Sequence, residues 1–329
     1  MHSSFCPLLM MMKIFCYNIR GLNTSLRQVE LKRWVQASRP LLGGFLETHV
    51  QIENATAILA RNFPGWRYDF NYTSNAQNGR IWIVWDPAVN VITFCKTDQL
   101  ITCGVFDTAA NLSFSLTFVY ARNCMIAKRE LWQTLQELHD YGLQRNHPWL
   151  ILGDFNQILR ADEHYSLLPY PHPTQGMAEF QQCIDSCEFL ELASRGADHT
   201  WFNSQIHNPS TRKLDRALVN KAWLTTFPQA NALFDAPGGS DHCPILVATS
   251  ENEERRKVPF KFYSFFTSHP DYPGQVEAAW NSTIVQGNMM FSLCQKLKAV
   301  KMVCKSLIRT HFSNIQARSA EALEALSNT

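Results

Sequence analysis

The sequence predicts an α/β fold in which two sheets pack together beneath covering helices. Three observations carry this reading. Short apolar runs end at turn signals, amphipathic segments lie between them, and polar residues suited to metal and phosphate chemistry recur where the runs stop.

Lys13–Asn18 is a strand-like run closing on a polar residue, and Leu41–Leu46 is a second, closing on Glu47. Between them, Leu26–Ala37 sets Leu26, Val29, Trp34 and Val35 among charges at helical spacing, and Ser38-Arg39-Pro40 is the stop. Arg80–Trp85 ends at the Asp86-Pro87 turn, and Val89–Cys95 follows at hairpin distance. Ile101–Phe106 and Leu112–Tyr120 read as a second hairpin. Ala127–Leu143 carries Leu131, Leu135, Leu138 and Tyr141 down one helical face. Trp149–Leu152 runs into Gly153-Asp154. Met177–Cys187 repeats Phe180, Ile184 and Cys187, and Ile245–Ala248 closes the set.

The pattern changes after Thr249. Ser250–Lys257 is charged and reads as a linker, and an aromatic stretch follows (Phe260, Phe262, Tyr263, Phe265, Phe266). From Met289 to Leu326 the chain reads as a long amphipathic helix with Leu297, Val300, Cys304, Leu307 and Ile315 as its stripe. The expected organisation is a loose extension over 1–12, one domain over 13–249, and a linker with a helical appendage over 250–329.

With 46% hydrophobic and 18% charged residues among 329, the chain buries a substantial core and is neither disordered nor collagen-like. Net charge is +2. Residues 251–329 hold ten Lys/Arg against seven Asp/Glu, so the rest is nearly balanced. Bulk charge does not advertise a nucleic-acid partner, and local basic residues or a bound metal must attract one. Ten scattered cysteines without a CxxC pair suit a reducing, intracellular compartment. Cys183 and Cys187 read as small apolar side chains on a buried helix face rather than as metal ligands. Pro7–Met12 is apolar but lacks a basic lead, which makes a poor secretory signal, and no run is long enough to span a membrane.

Asn18, Glu47, Tyr120, Asp154 with Asn156, and Asp241 with His242 after a Gly-Gly-Ser turn mark the candidate site. In layered α/β folds such loops share one rim. A phosphodiester repels a nucleophile. A hard cation on carboxylates offsets that repulsion, a carboxylate activates water, neutral donors hold the non-bridging oxygens, and a His oriented by an Asp supplies a proton or a charge. Each residue also has an ordinary structural reading: a turn for Asn18 or for Asp154-Phe155-Asn156, a core position for Tyr120, a cap for His242.

The segments YNIRGLN (17–23), LETH (46–49), VYARN (119–123), LILGDFN (150–156), HTW (199–201), KLDRAL (213–218) and GGSDHCPI (238–245) resemble, in order, the endonuclease/exonuclease/phosphatase superfamily. The resemblance implies a four-layer α/β/β/α sandwich with the site at one rim. Within that group, NGRIWIVWDP (78–87), LTFVYARN (116–123), HPWLILGDFN (147–156) and FTSHPDYPGQVEAAWN (266–281) are similar to the endonuclease domain of plant LINE-type, non-LTR retrotransposon polyproteins. The tail, FSLCQKLKAVK to THFSNIQAR (291–318), resembles their connector to a reverse transcriptase. No Tyr/Phe-x-Asp-Asp motif follows, so the chain reads as a fragment of such an element.

The resemblance implies roles. Glu47, Asn18 and Asp241 match residues at the metal. Asp154 matches the residue that aligns or deprotonates water, Asn156 the phosphate holder, and Tyr120 a contact to phosphate or leaving group. His242 matches an acid or base oriented by Asp215. Asn123 assists nearby, and Thr200 with Trp201 matches a supporting element beside the substrate. Arg20 stands where apurinic endonucleases carry an Asp. That weakens the case for a second metal and offers a guanidinium to a phosphate. Arg122, Arg212, Lys213 and Arg216 are either further phosphate contacts or ordinary solvated charges. The expectation is a Mg²⁺-dependent endonuclease, with Mn²⁺ as the alternative ion. It cuts double-stranded DNA to leave a 3′-hydroxyl and a 5′-phosphate, and acts as a monomer in the nucleus. An idle remnant and a phosphatase of the same group are the rivals.

Overall fold

Both faces of each main sheet are covered, which is why the strands read as near-continuous apolar runs rather than as alternating ones. A computed structural model describes residues 12–72, 80–108, 111–140, 146–167, 174–205, 207–250, 267, 269–283 and 289–307. The chain runs β1 (Lys13–Asn18), α1 (Ser25–Ser38), β2 (Leu42–Leu46), α2 (Ile52–Asn62), β3 (Arg67–Phe70), β4 (Ile81–Trp85), β5 (Asn90–Lys96), β6 (Leu100–Asp107), β7 (Leu112–Tyr120) and α3 (Met125–Asp140). It continues with β8 (Trp149–Asp154), β9 (His164–Ser166), α4 (Thr174–Ser186), β10 (Leu190–Glu191), β11 (Ser194–Gly196), β12 (Trp201–Phe202), β13 (Ser210–Arg212), β14 (Asp215–Val219), α5 (Lys221–Thr226), β15 (Asn231–Phe234) and β16 (Ile245–Ala248). Two helices, α6 (Tyr272–Ser282) and α7 (Met289–Leu307), come last.

One sheet has the order β11-β15-β16-β1-β2-β4-β3 and the other β10-β14-β8-β7-β6-β5, with β12-β13-β9 as a small third sheet. Ile14, Cys16, Leu46, Ile83, Leu116, Phe118, Leu150 and Val247 fill the space between the two large sheets. Alternate residues of the same strands point outward. Phe15, Phe45 and Trp82 meet Leu31 and Val35 of α1 and Leu59 of α2. Val119, Trp149 and Ile151 meet Leu131 and Leu135 of α3 and Phe180 of α4. The expected four-layer α/β/β/α sandwich is what forms.

Several expectations need correction. Arg80–Trp85 and Val89–Cys95 do not form a hairpin: β4 pairs with β2 and β3, while β5 pairs with β6. The Asp86-Pro87 turn carries the chain from one sheet to the other. In α1 the buried residues are Gln28, Leu31 and Val35, whereas Leu26 and Val29 are exposed. Gln28 is inward because its Nε2 donates to the Leu22 carbonyl and its Oε1 accepts from Asn62. Helices α2, α5 and α6 and strands β3 and β9–β15 have no counterpart among the expected elements; most are too brief to show a period.

The chain divides into two compact units, Met1–Asn252 and Glu253–Thr329. Met12 already belongs to the first, since it is buried and its N–H donates to Thr249 Oγ1 at 3.1 Å. In the second, Lys296 Nζ lies 5.2 Å from the centre of the Trp280 ring, which joins α7 to α6. The rest of the expected extension, the Phe260–Phe266 stretch, most of the Ser250–Lys257 linker and the helical reading beyond Leu307 lie outside the described residues. Among the described residues no helix is long and apolar enough to cross a membrane.

Candidate active site

Register brings the candidate residues together. β7 and β8 run parallel and align Tyr120 with Asp154, and β8 and β14 run antiparallel and align Asp154 with Asp215. These three stand side by side at one rim of the six-stranded sheet. In the other sheet β1 ends at Asn18 beside Leu46, one residue before Glu47. β16 is antiparallel to β1, so the segment that precedes it, with Asp241 and His242, returns to the same rim.

The backbone at this rim is held in unusual conformations. Arg20, Glu47 and Asn156 all have φ near +50°, in the left-handed region that non-glycine residues seldom occupy. Gly153 has φ +149°, and a Cβ there would lie 2.0 Å from the Val119 carbonyl oxygen. Only glycine lets β8 approach β7 so closely just before Asp154.

Two adjacent groupings result. The inner one is buried. Asn18 Nδ2 donates to Asp154 Oδ2 at 3.0 Å and thereby links the two sheets, and it lies 3.4 Å from His242 Nε2. His242 Nδ1 lies 2.9 Å from Asp215 Oδ2, and its Nε2 is 3.8 Å from Asp154 Oδ2. Asp154 Oδ1 accepts from the Asn156 N–H at 2.8 Å. Burial disfavours the charge on His242, but Asp215 and then Asp154 outweigh it and raise its pKa to about 9. Burial also raises Asp154 above the usual carboxylate range, against the pull of His242 and with Asp215 adding to the rise. Two buried carboxylates thus share one imidazolium.

The outer grouping reaches solvent through the half-exposed Arg20, while Glu47 is itself buried. Tyr120 OH donates to Glu47 Oε1. Arg20 Nη1 lies 3.3 Å from Glu47 Oε2, and its Nε 3.3 Å from Asp241 Oδ1. Trp201 Nε1 donates to Asp241 Oδ2 at 3.0 Å, so this ring has a polar duty beyond packing.

The donor sets show where a cation fits. Asp154, Asp215 and His242 bring ligand atoms within 4.8 Å of one another, but these atoms already serve one another, Asn18 and Asn156. In the outer grouping, Asp241 Oδ1 is buried and accepts no hydrogen bond. A buried carboxylate oxygen that accepts no hydrogen bond, paired with Glu47 through the long contacts of one guanidinium, fits a hard divalent ion better than the inner trio does.

The remaining expected residues separate. Asn123 is exposed and lines a cavity of about 210 Å³ with Lys128, Asn156, His164 and Arg212. Thr200 lies beneath the rim, only 1% exposed. Its Oγ1 accepts from the N–H groups of Leu214 and Asp215, so it positions Asp215 rather than meeting substrate. Arg216, expected to be either a phosphate contact or a solvated charge, is neither: it is wholly buried against Glu163 and Glu191. Lys213 pairs with Glu191, and Arg122 with Asp98.

Sequence reasoning missed Lys128 and Ser240. Lys128 Nζ donates to the Asn156 carbonyl at 2.5 Å and to Gln157 Oε1 at 3.1 Å. Burial lowers its pKa to about 8. Its signal was a lysine on the apolar face that Leu131 and Leu135 define. Ser240 Oγ donates to the Asn18 carbonyl at 2.7 Å and accepts from the His242 N–H at 3.2 Å.

A family model for the endonuclease/exonuclease/phosphatase family matches residues 15–242, and the chain belongs to that family, a class of hydrolases. A comparison with curated protein sequences finds no match. Among solved structures, the chain is similar to the endonuclease domain of TRAS1, a telomere-specific non-LTR retrotransposon, at 14% identity, TM-score 0.53, covering 72% of this chain and 97% of that one. It is also similar to the AP endonuclease LMAP from Leishmania major (13%, TM-score 0.56, 74% and 88% covered). A third is the mannosyl-6-phosphatase Bt3783 of Bacteroides thetaiotaomicron (15%, TM-score 0.51, 72% and 98% covered). At these identities the likeness is one of fold.

Proposed function

We propose that the protein is a divalent-metal-dependent DNA endonuclease, derived from a plant LINE-type retrotransposon, which hydrolyses phosphodiester bonds to leave a 3′-hydroxyl and a 5′-phosphate. The observation that carries this reading is the meeting of Asn18, Glu47, Tyr120, Asp154, Asp215, Asp241 and His242 from two sheets at one rim.

Glu47 and Asp241 would hold the ion, Mg²⁺ or Mn²⁺, which would supply positive charge to offset the phosphate and the charge that develops during attack. Asp154 orients the attacking water and receives its proton, a step that the raised proton affinity of a buried carboxylate favours. His242, kept cationic by Asp215, stabilises charge on the phosphate oxygens. Asn156, whose own N–H is tied to Asp154, contributes its side chain as a neutral donor beside the phosphate once substrate draws it from the Ala121 carbonyl. Tyr120 serves the leaving-group side, and Asn123 extends the contact surface.

The retroelement-like segments outside the site favour DNA over small phosphoesters. A DNA target places the site of action in the nucleus. The test is incubation of the purified protein with supercoiled plasmid and Mg²⁺, beside Asp154→Ala and beside small phosphoesters. Nicked circles that a polymerase extends, made by the wild type alone, are expected. Phosphate release without nicking points to a phosphatase. Unchanged plasmid and no phosphate release point to an idle remnant and defeat the enzymatic reading.

A further inference from the structure

The guanidinium of Arg20 stands where the outer carboxylates would share a cation. Its Nη1 is 3.3 Å from one oxygen of Glu47 and 3.5 Å from the other, and its Nε is 3.3 Å from Asp241 Oδ1, the buried oxygen that accepts no hydrogen bond. These are long contacts. Charge-assisted N–H···O⁻ bonds usually measure about 2.7–2.9 Å. The side chain is 44% exposed, so water screens both pairs.

The backbone of Arg20, by contrast, is fixed. Its N–H donates to Asn18 Oδ1 at 3.2 Å, its carbonyl accepts from Arg27 Nη1 at 2.9 Å, and the next N–H, of Gly21, donates to the Glu47 carbonyl at 2.7 Å. A side chain loosely held on a rigid hinge, between two carboxylates, moves at little cost.

We propose that Arg20 is a resident counter-cation of Glu47 and Asp241, and that a divalent ion binds by displacing its guanidinium from them. A divalent ion approaches carboxylate oxygens far more closely than a guanidinium does, and like charges repel, so the two do not share the same oxygens. Without the ion, Arg20 offsets two adjacent carboxylates. With the ion bound, the guanidinium swings out from its fixed hinge, which leaves it at the rim that a phosphate would approach. Arg20 is therefore a positioning residue for metal entry, in competition with the ion. The inference rests on the metal-binding reading of this rim and not on the choice of DNA as substrate.

The experiment measures Mn²⁺ binding by electron paramagnetic resonance of the free ion, in the full chain without nucleic acid. Wild type, Arg20→Gln, Arg20→Lys and Glu47→Gln are compared, each first checked for cooperative unfolding. Removal of a partly exposed competing charge should tighten Mn²⁺ binding about three- to tenfold in Arg20→Gln. Arg20→Lys, which keeps the charge but not the fork of N–H groups that reaches both carboxylates, should fall between wild type and Arg20→Gln. Thermal unfolding gives a second reading: Arg20→Gln should melt below wild type in chelator and close that gap at saturating Mn²⁺. Equal or weaker Mn²⁺ binding by Arg20→Gln overturns the proposal and leaves Arg20 as a plain phosphate contact. Wild type and variants that all fail to bind Mn²⁺, or binding that Glu47→Gln leaves intact, overturns instead the metal reading on which it rests.

Discussion

A buried imidazole ordinarily loses its proton, because burial penalises the charged form. His242 is 2% exposed and nevertheless keeps its charge to about 9, since Asp215 and Asp154 face it from the neighbouring strands. Its folded pKa lies above the ordinary value near 6.5. The stability it contributes is therefore fully present below that value and is lost as pH rises through about 9. Asp215→Asn removes the larger of the two attractions and leaves burial less opposed. The His242 pKa, followed by NMR of the ring protons, should fall toward or below its ordinary value, and an unchanged titration would refute the pairing. Asp154 presents the opposite case. Burial raises its proton affinity, so its ionised form costs stability as pH rises above the ordinary carboxylate range. Asp154→Asn sets an amide NH₂ against one of the donors that Asp154 now accepts from, so it lowers stability. It also removes this titration, and as pH rises from about 4 to about 7 its melting temperature should fall less than that of the wild type. The same change should lower nicking by about a hundredfold or more, the usual loss with a general base. A variant that keeps the pH dependence of the wild type's melting temperature and cuts normally would contradict both halves.

Arg216 on β14 is an element-scale device. Wholly buried, it holds Glu163, just before β9, and Glu191 of β10, and so ties the small third sheet to the edge of the six-stranded one. Arg216→Met leaves the buried Glu163 with only the longer 3.7 Å pair to the exposed Arg160, and denaturant unfolding should register a loss of about 3–5 kcal/mol. Lys213→Ala removes a pair to the half-exposed Glu191 and should cost no more than about 1 kcal/mol. Equal effects from the two substitutions would show that burial does not set the difference. This network explains a limit of sequence reading. The residues of KLDRAL that were legible as a group have unlike fates: Asp215 reaches the site, Arg216 turns inward, Lys213 lies at the edge. A basic residue on a strand shows its charge in sequence but not its face, and the partners of Arg216 stand 53 and 25 residues away. The same reasoning covers the misread turn at Asp86-Pro87. Local signals mark where a strand stops and are silent on which sheet the next one joins. Lys128 was hidden for the related reason that a charge on an apolar helix face looks like an error of periodicity until its carbonyl partner is seen.

At the scale of the molecule, the order of strand ends carrying Asn18, Glu47, Tyr120, Asp154 and His242 was legible because a layered fold sends such ends to one rim. Their division into an inner trio and an outer carboxylate pair bridged by Arg20 was not, because it depends on the bond from Asn18 to Asp154 across two sheets 136 residues apart in sequence. Every residue of that site lies in the unit Met1–Asn252, and the three packed layers of apolar side chains that hold the two sheets lie there almost wholly. The final strand, β16, is clasped by β1 and β15 within the same unit, and Thr249 at its end bonds back to Met12. A chain ending at Asn252 should therefore fold cooperatively, with a melting temperature within about 4 °C of the full chain. It should keep the Mn²⁺ affinity and whatever nicking rate the full chain displays. A truncated chain that fails to unfold cooperatively, or that loses Mn²⁺ binding, would instead make residues 253–329 part of the machinery that shapes the rim.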